Sequence, residues 1–424
     1  MTATAATAEA PADAPPWSPL APYELPFFDA PHRALAQGLR DWVRTQSIDE
    51  HDDRAACRAW VRALGHAGWL RYCVPAAHGG ALPTLDSRAL VTARETLAFH
   101  SPLADFAFAM QGLGSGAITL AGTPEQQAAT LGAVARGEAI AAFALSEPEA
   151  GSDVGAISTI ATEHHSTLAS GEKTSEFVLE GTKTWISNGG LADFYVVFAR
   201  SDPASRGSRG LSAFIVDAAT PGLDASAHIA LMAPHPLATL RLAGCRVGAQ
   251  ALLGERGGGF KLAMRTLDIF RASVAAAALG MARRALAEAV RHARTRRLFG
   301  QTLADFQLTQ ARIGEMAALI DAAALLTYRA AWLRDQALGT PDEDAPTARK
   351  ARSVAAATAK MVATENAQRV IDMALQLFGA RGVQAGSVPE HLYRDIRALR
   401  IYEGATEVQL LIIGKAQLDE EDHP

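Results

Sequence analysis

From about Ala30 to Gly137 apolar residues recur at helical spacing. Leu35, Leu39, Trp42 and Val43 share one face, and Trp60, Leu64, Trp69 and Leu70 return at turn intervals. Gly79-Gly80 and Thr123-Pro124 punctuate this stretch, which predicts a helical first domain. Near Ile140 the pattern changes to short β-branched or aromatic runs at 177–179, 194–198, 213–216 and 240–247, separated by Gly, Ser, Asp and Pro clusters. These predict a small β domain. After Gly257-Gly258-Gly259 the helical period returns in an Ala-rich background, as in Ile313, Met316, Ile320 and Ala324. A bundle of long helices is expected over roughly 258–300, 303–338, 347–380 and 388–416. The expected layout is therefore an N-terminal helical domain (29–139), a central β domain (140–256) and a C-terminal helical bundle (257–418). A disordered tail over 1–28 and a solvated acidic tail over 419–424 flank it. The bundle holds more apolar surface than it would bury alone, which points to oligomer contacts.

At 424 residues the chain has ample material for a large core, and 49% of it is hydrophobic. No uninterrupted apolar run reaches the roughly 18 to 20 residues of a membrane helix, so a soluble protein is expected. The net charge of −5 and the lack of a long basic block argue against a nucleic-acid partner. Cys57, Cys73 and Cys245 are scattered, offer no metal-ligand spacing, and read as buried small hydrophobes in a reducing compartment. The N-terminal stretch is rich in Ala, Pro and Thr and has no Lys or Arg before Arg33, unlike a secretory or mitochondrial leader, so a cytoplasmic location is expected.

Three segments carry candidate chemistry. Arg400-Ile401-Tyr402-Glu403-Gly404-Ala405-Thr406 sets a carboxylate between an aromatic residue and a glycine, which suits a general base kept from water, although a helix-end Glu by itself is more often a solvated charge. Ala142 to Asp153 reads as a strand followed by a turn whose Ser and Gly can offer donors to a phosphate or ring carbonyl, or simply close a loop. Gly181-Thr182-Lys183-Thr184-Trp185-Ile186-Ser187-Asn188 presents a Trp that could lie against a flat ring system with Ser187 at its edge, or could be an ordinary core Trp.

Together with Arg296-Arg297-Leu298-Phe299-Gly300-Gln301, Phe306-Gln307, Gln376-Leu377-Phe378-Gly379 and the Tyr402-Glu403-Gly404 run, these segments resemble the acyl-CoA dehydrogenase family from about residue 30 to 418. The resemblance implies an α+β, mainly helical fold: an N-terminal helical domain, a small central β domain and a C-terminal four-helix bundle. It also implies FAD as cofactor and a homotetramer, less often a dimer. An acyl-CoA substrate and electron-transferring flavoprotein as electron acceptor follow from the same resemblance.

By similarity, Phe143, Leu145, Ser146, Trp185, Ile186 and Ser187 would meet the flavin, and Ser152 both cofactor and the pantetheine arm. Arg296 would reach the FAD pyrophosphate of a neighbouring subunit, joined by Phe299 and Gln307. Gln376, Leu377 and Gly379 would cover the adenosine side across the interface. Gly404, Ala405 and Thr406 would contact FAD after the base. Asp268 and Arg271 would support the substrate, or simply pair at i, i+3 on a helix; Tyr402 and Gly404 would also touch substrate. Glu403 matches the catalytic base. Some family branches carry that Glu where this chain has Phe270, which cannot take a proton.

The implied reaction is α,β-dehydrogenation of an acyl-CoA thioester to a trans-2-enoyl-CoA. Glu403 takes the α proton, and flavin N5 accepts the β hydride. A flavin oxidase of the same fold and a non-catalytic helical scaffold are the alternatives. The chain departs from the family at 231–239, at Val247-Gly248, and at Phe306, Ala380 and Ala405, so acyl preference cannot be transferred. His235 in that first loop reads as an exposed loop histidine ahead of a substrate contact, and Phe270 favours a short, branched or cyclic acyl group.

Overall fold

The computed structural model describes residues 24–167, 173–343 and 345–420. The first domain is built from α1 (Ala30–Val43), α2 (Asp53–His66), α3 (Ser87–His100), α4 (Pro102–Ala121) and α5 (Pro124–Arg136). Side-chain caps explain several of the starts. Asp52 accepts from the N–H groups of Arg54 and Ala55, Asp86 from Ala89, Ser101 from Ala104, and Thr123 forms a reciprocal capping box with Gln126. The interior helix α4 is apolar on nearly every side and is covered by α2, α3, α5 and the β domain.

The β domain comprises β1 (Ala141–Ala144), β2 (Ile160–Thr167), β3 (Lys173–Ser187), β4 (Phe194–Arg200), β5 (Leu211–Asp217), β6 (Leu223–Ile229), β7 (Leu237–Gly248) and β8 (Leu252–Leu253). Its order is β6-β7-β3-β2-β4-β5-β8, with β1 parallel beside β4. The apolar runs at 177–179, 194–198, 213–216 and 240–247 all fall on strands. The largely exposed strand β6 was not among those runs, although its Leu-Asp-Ala-Ser-Ala-His-Ile sequence alternates apolar and polar residues, because small Ala side chains and the lack of a β-branched or aromatic residue before Ile229 keep the signal weak. Along β3 and β7 the register shifts between Lys183 and Ile186, a bulge that re-aims the intervening residues.

The C-terminal region contains α6 (Gly259–Thr295), α7 (Gln307–Ala337), α8 (Pro346–Phe378), α9 (Val388–Leu399) and α10 (Thr406–Glu420). One continuous helix over 388–416 was expected; the chain instead breaks between α9 and α10, at the turn carrying Glu403 and Gly404. The apolar period runs across the break, but a glycine at φ +96° and a glutamate at φ +53° cannot continue a right-handed helix. The expected tails are also shorter. Phe28 is buried and meets the Tyr328 ring edge-on at 4.9 Å, while Asp419 belongs to α10 and pairs with Lys350 at 2.9 Å. The rest of both tails, 1–23 and 421–424, lies outside the described residues.

The helix α6 ties the molecule together. Its first turns, Leu262 to Phe270, join the core of the first two domains, and Ala272 to Val290 form the centre of the bundle core with α7 and α8. By length and composition α7 could cross a bilayer, although Asp321 and Arg329 break its apolar stretch. In this fold it lies beside α6 and α8, with Met316, Ile320 and Tyr328 buried and Leu308 and Leu325 exposed. The three cysteines are free and buried.

Candidate active site

Glu403 sits in the turn between α9 and α10. The Lys360 ammonium on α8 donates to the Gly404 carbonyl at 2.7 Å, and Gln409 Nε2 donates to the same oxygen at 2.9 Å. Glu365 holds the turn's flank, accepting from Thr406 Oγ1 at 2.6 Å and from Arg400 Nε at 2.8 Å. A β-carbon on Gly404 would stand 2.2 Å from Gln409 Nε2, so this glycine is needed for close approach as well as for its backbone angle. Within the turn, Glu403 Oε2 is buried and has no hydrogen-bond partner. Burial raises the carboxyl's pKa above its ordinary value, while the charges of Arg94, Lys360 and Arg271 pull it back and Asp105 adds a smaller upward push. A carboxyl oxygen shut from water, unpartnered and facing cations is the setting of a poised general base.

The wall from the β domain is braced from behind. Lys183, which is 0% exposed, donates to Glu147 Oε1 at 2.8 Å and to the Leu145 carbonyl at 3.0 Å. Glu147 also accepts from Ser158 N, Ser158 Oγ and Thr159 N. This buried pair fixes the Leu145-Ser146 strand end. The Asn188 amide donates to the Ala141 carbonyl at 3.0 Å and fixes the opposing turn. Between them, Leu145 and Ile186 are buried, Phe143 packs partly buried against Phe198, and Ser146 and Ser187 are half-exposed. Trp185 occupies the bulge at φ +59° and is 58% exposed. It is therefore not the ordinary core Trp; its ring lies on an open face. Ser152 lies on an exposed turn after β1.

His235 connects this wall to the base. Its Nε2 lies 3.3 Å from Ser187 Oγ, its ring centroid 4.0 Å from that of Phe106 and 5.9 Å from that of Tyr402. The expected exposed loop histidine is instead half-buried, its ring packed against Phe106 of α4. Burial, helped by the Arg94 charge, pushes its pKa down to about 3, so the ring is neutral. Beyond His235 and Tyr402 lies a cleft of about 170 Å³ with Arg94, Phe106, Met110 and Met232 among its walls. Arg94 is itself buried: Nε and Nη2 each donate to Asp105 at 2.8 Å, and Nη1 donates to Ser273 Oγ at 3.0 Å. Phe270 fills the space between α4 and α6, where β-carbons on Gly112 and Gly116 would stand 2.8 and 3.0 Å from its ring.

Asp268 and Arg271 form the i, i+3 ion pair on α6, with Ser353 Oγ donating to Asp268 at 3.2 Å. Asp268 faces a second cleft of about 110 Å³ that Arg265, Arg334, Arg349 and Arg352 also line.

The remaining expected cofactor contacts lie elsewhere. Arg296, Phe299, Gln307, Gln376 and Gly379 are all exposed, and Leu377 is half-buried. The stacking of His292 on Phe378, centroids 4.1 Å apart, brings the C-terminal ends of α6 and α8 together and with them Arg296 and Gln376. Twenty-five residues separate Arg271 from Arg296 along α6, a rise of about 38 Å. The structure thus makes two clusters from the expected site, one around Glu403 and one at the far end of the bundle. Four non-glycine residues with left-handed φ occur among the described residues, Trp185, Asn188, Phe299 and Glu403, and every one falls in an expected site motif. Strain of this kind persists where surrounding structure enforces it, commonly at functional sites.

Sequence models of the acyl-CoA dehydrogenase N-terminal, middle and C-terminal domains match residues 29–138, 142–244 and 257–418. The chain belongs to the acyl-CoA dehydrogenase family. It is 36% identical to the mitochondrial short-chain specific acyl-CoA dehydrogenase of Homo sapiens, over 90% of this chain and 89% of that protein. It is 34% identical to a 3-(aryl)acrylate reductase of Clostridium sporogenes, over 91% and 98%. An acyl-CoA dehydrogenase from Bacillus anthracis, solved in complex with FAD, superposes with a TM-score of 0.82 at 30% identity, covering 93% of this chain and 68% of that one.

The acyl-CoA dehydrogenase family motifs did not point to Arg94, Asp105, Glu147, Lys183 or Lys360. The one signal available was a single charge inside an apolar or Ala-rich helical run, as at Arg94 in Leu-Val-Thr-Ala-Arg or Lys360 in Ala-Thr-Ala-Lys-Met. That pattern does not say what the charge faces.

Proposed function

We propose that the chain performs FAD-dependent α,β-dehydrogenation of an acyl-CoA thioester, with Glu403 as the base that removes the α proton. The observation that carries this is the Glu403 turn: a buried, unpartnered carboxyl oxygen, beside cations, on a backbone held in a strained conformation. The residues present suit a flavin. Trp185 offers an open aromatic face, Ser146 and Ser187 offer hydroxyls toward a polar ring edge, and Phe143 and Leu145 offer apolar contact. Bound FAD supplies the two-electron acceptor for the β hydride. Ile186, Gly404, Ala405 and Thr406 complete the flavin side of the site, and Ser152 lies at its rim, where cofactor and pantetheine would meet.

A thioester α C–H is far too weak an acid for a carboxylate near its reference pKa of about 4.3. Desolvation around Glu403 narrows the gap, and the backbone N–H of Glu403 would donate to the thioester oxygen as its charge develops. Tyr402 closes the acyl side and excludes water. Asp268 and Arg271 sit beside the arginine-lined cleft, whose positive character suits the phosphates of CoA.

Phe270 between α4 and α6, with the aromatic group of Phe106, His235 and Tyr402, favours a short or ring-bearing acyl group over a long straight chain. Arg296, Phe299, Gln307, Gln376, Leu377 and Gly379 act in trans, on FAD held by another copy of the chain, because the rise along α6 removes them from their own Glu403. The active form is accordingly a homo-oligomer, a tetramer or a dimer. It is cytoplasmic, and its reduced flavin passes electrons to electron-transferring flavoprotein. Anaerobic flavin bleaching by a panel of acyl-CoAs tests cofactor, reaction and acyl class together. A yellow protein that no acyl-CoA bleaches would sink the proposal, and peroxide formed without an added acceptor would make it an oxidase.

A further inference from the structure

We propose that Lys360 is a positioning residue for the base: its ammonium holds the Gly404 carbonyl and thereby sets the Glu403 turn, and its charge faces the Glu403 carboxyl. The inference rests on the reading of Glu403 as the base. Lys360 lies in the middle of α8, where Ala355, Ala356, Ala357, Ala359 and Ala363 are packed away from water, and is itself 0% exposed. A lysine is seldom buried without a carboxylate, because removing an ammonium from water is costly unless an opposite charge repays it. Lys360 nevertheless makes no ion pair among the described residues; its ammonium donates to the Gly404 carbonyl instead. Burial pushes its pKa down to about 8, with the Glu403 charge the largest force holding it up.

The other charges near the base are already engaged. Arg94 on α3 is bidentate to Asp105 of α4, and Arg271 on α6 is paired with Asp268. On the far side Glu365 is taken by Arg400 and Thr406, and Glu407 is exposed at the start of α10. His235 is neutral, and burial raises the Tyr402 phenol so that it stays protonated. Lys360 is therefore the cation without an acid partner among those that act on Glu403. It reaches the base through the backbone atom that follows it. A glutamate held at a left-handed φ of +53° is strained and needs an outside hold. The short contact from Lys360 to the next carbonyl supplies that hold, and the same ammonium offsets the desolvation of the carboxylate.

The test uses the FAD-loaded enzyme with Lys360→Met, Lys360→Gln and Lys360→Arg. The carboxyl vibrational band that disappears in Glu403→Gln reports the protonation of Glu403 without turnover. Its titration midpoint should rise by about one pH unit in Lys360→Met and Lys360→Gln and stay in place in Lys360→Arg. The acid limb of flavin bleaching should move with it. In Lys360→Met, which loses the hold as well as the charge, kcat should fall by about a hundredfold, the scale of a ~1 Å misplacement, with little change in KM. If Lys360→Met does not accumulate as folded yellow protein, Lys360→Gln decides. An unmoved band midpoint in a folded neutral variant overturns the proposal. Because the band is read without substrate, a wild type that no acyl-CoA bleaches would defeat the functional reading and still leave the Lys360 measurement intact.

Discussion

The Thr184 N–H donates to the Ser146 carbonyl at 3.0 Å, joining two segments far apart in the sequence into one surface. Glu147 and Lys183, each the immediate neighbour of one of these residues, form the buried pair behind it. The half-exposed Ser146 and the exposed Trp185 are thus held by one brace.

That brace has a measurable acid limit. Burial works against the Glu147 carboxylate, but the Lys183 charge, with hydrogen bonds from Lys183, Thr159 and Ser158, outweighs it and holds its pKa down to about 2. A carboxyl depressed in the folded state contributes stability that is complete above its unfolded value and is lost as pH falls toward about 2. The pair is not symmetric, since burial of Lys183 outweighs its partner and pushes the ammonium down to about 8. Glu147→Gln leaves that ammonium buried and should cost about 3 to 5 kcal/mol in urea unfolding. It should also flatten the acid dependence of stability. A loss below about 1 kcal/mol would mean the pair is not felt by the fold.

Glu403→Gln should bind FAD as wild type does and lose substrate-driven bleaching by about two to four orders of magnitude, the usual weight of a positioned proton-transfer group. Near wild-type bleaching in that variant would remove Glu403 from the mechanism.

The direction of the Glu403 shift sets the pH response. Because burial holds its pKa above the ordinary carboxylate value, and the rate needs the ionised form, bleaching should decline at a higher pH than a solvent-exposed glutamate would dictate. A stopped-flow rate profile checks this. An acid limb at or below the normal carboxylate range would show that Glu403 is wet before substrate arrives.

Much of this was legible in the chain. The helical, β, helical order followed from a change of period at Ile140 and again after Gly259, and Glu403 and Trp185 themselves stood out in their motifs. The break after Leu399 was not legible, because the apolar spacing continues through it and only backbone angles at Glu403 and Gly404 reveal the turn. His235 was misplaced for a related reason: a histidine between prolines looks like a loop tip, and only the position of Phe106 on α4 shows that the loop folds inward. Arg94 and Lys360 were silent because a single charge in a helix acquires a meaning only from what packs opposite, and their partners lie on other elements.

Arg296→Ala tests the assignment across subunits. If Arg296 reaches FAD of another copy, the variant should lose colour on gel filtration, and FAD retention in the wild type should fall with protein concentration as oligomers dissociate. Full yellow occupancy of Arg296→Ala at high dilution would place Arg296 outside the cofactor site.

Phe270→Ala separates acyl selection from catalysis. The ring is 1% exposed and lies against α4 at Gly112 and Gly116, so truncation opens space between α4 and α6 and should destabilise the fold by about 3 to 5 kcal/mol. If the seam borders the acyl pocket, longer or bulkier acyl-CoAs should gain kcat/KM relative to short ones. Each methylene newly accommodated should contribute about 1 to 3 kcal/mol, or 10- to 200-fold in relative rate. Adding bulk at the same seam gives the opposite control. A β-carbon at Gly112 would stand 2.8 Å from the Phe270 ring, so Gly112→Ala should force the ring toward substrate and narrow the range of acyl groups further. If the substrate order in Phe270→Ala matches the wild type while stability falls as expected, the seam is only core, and acyl choice is made at Phe106, His235 and Tyr402 instead.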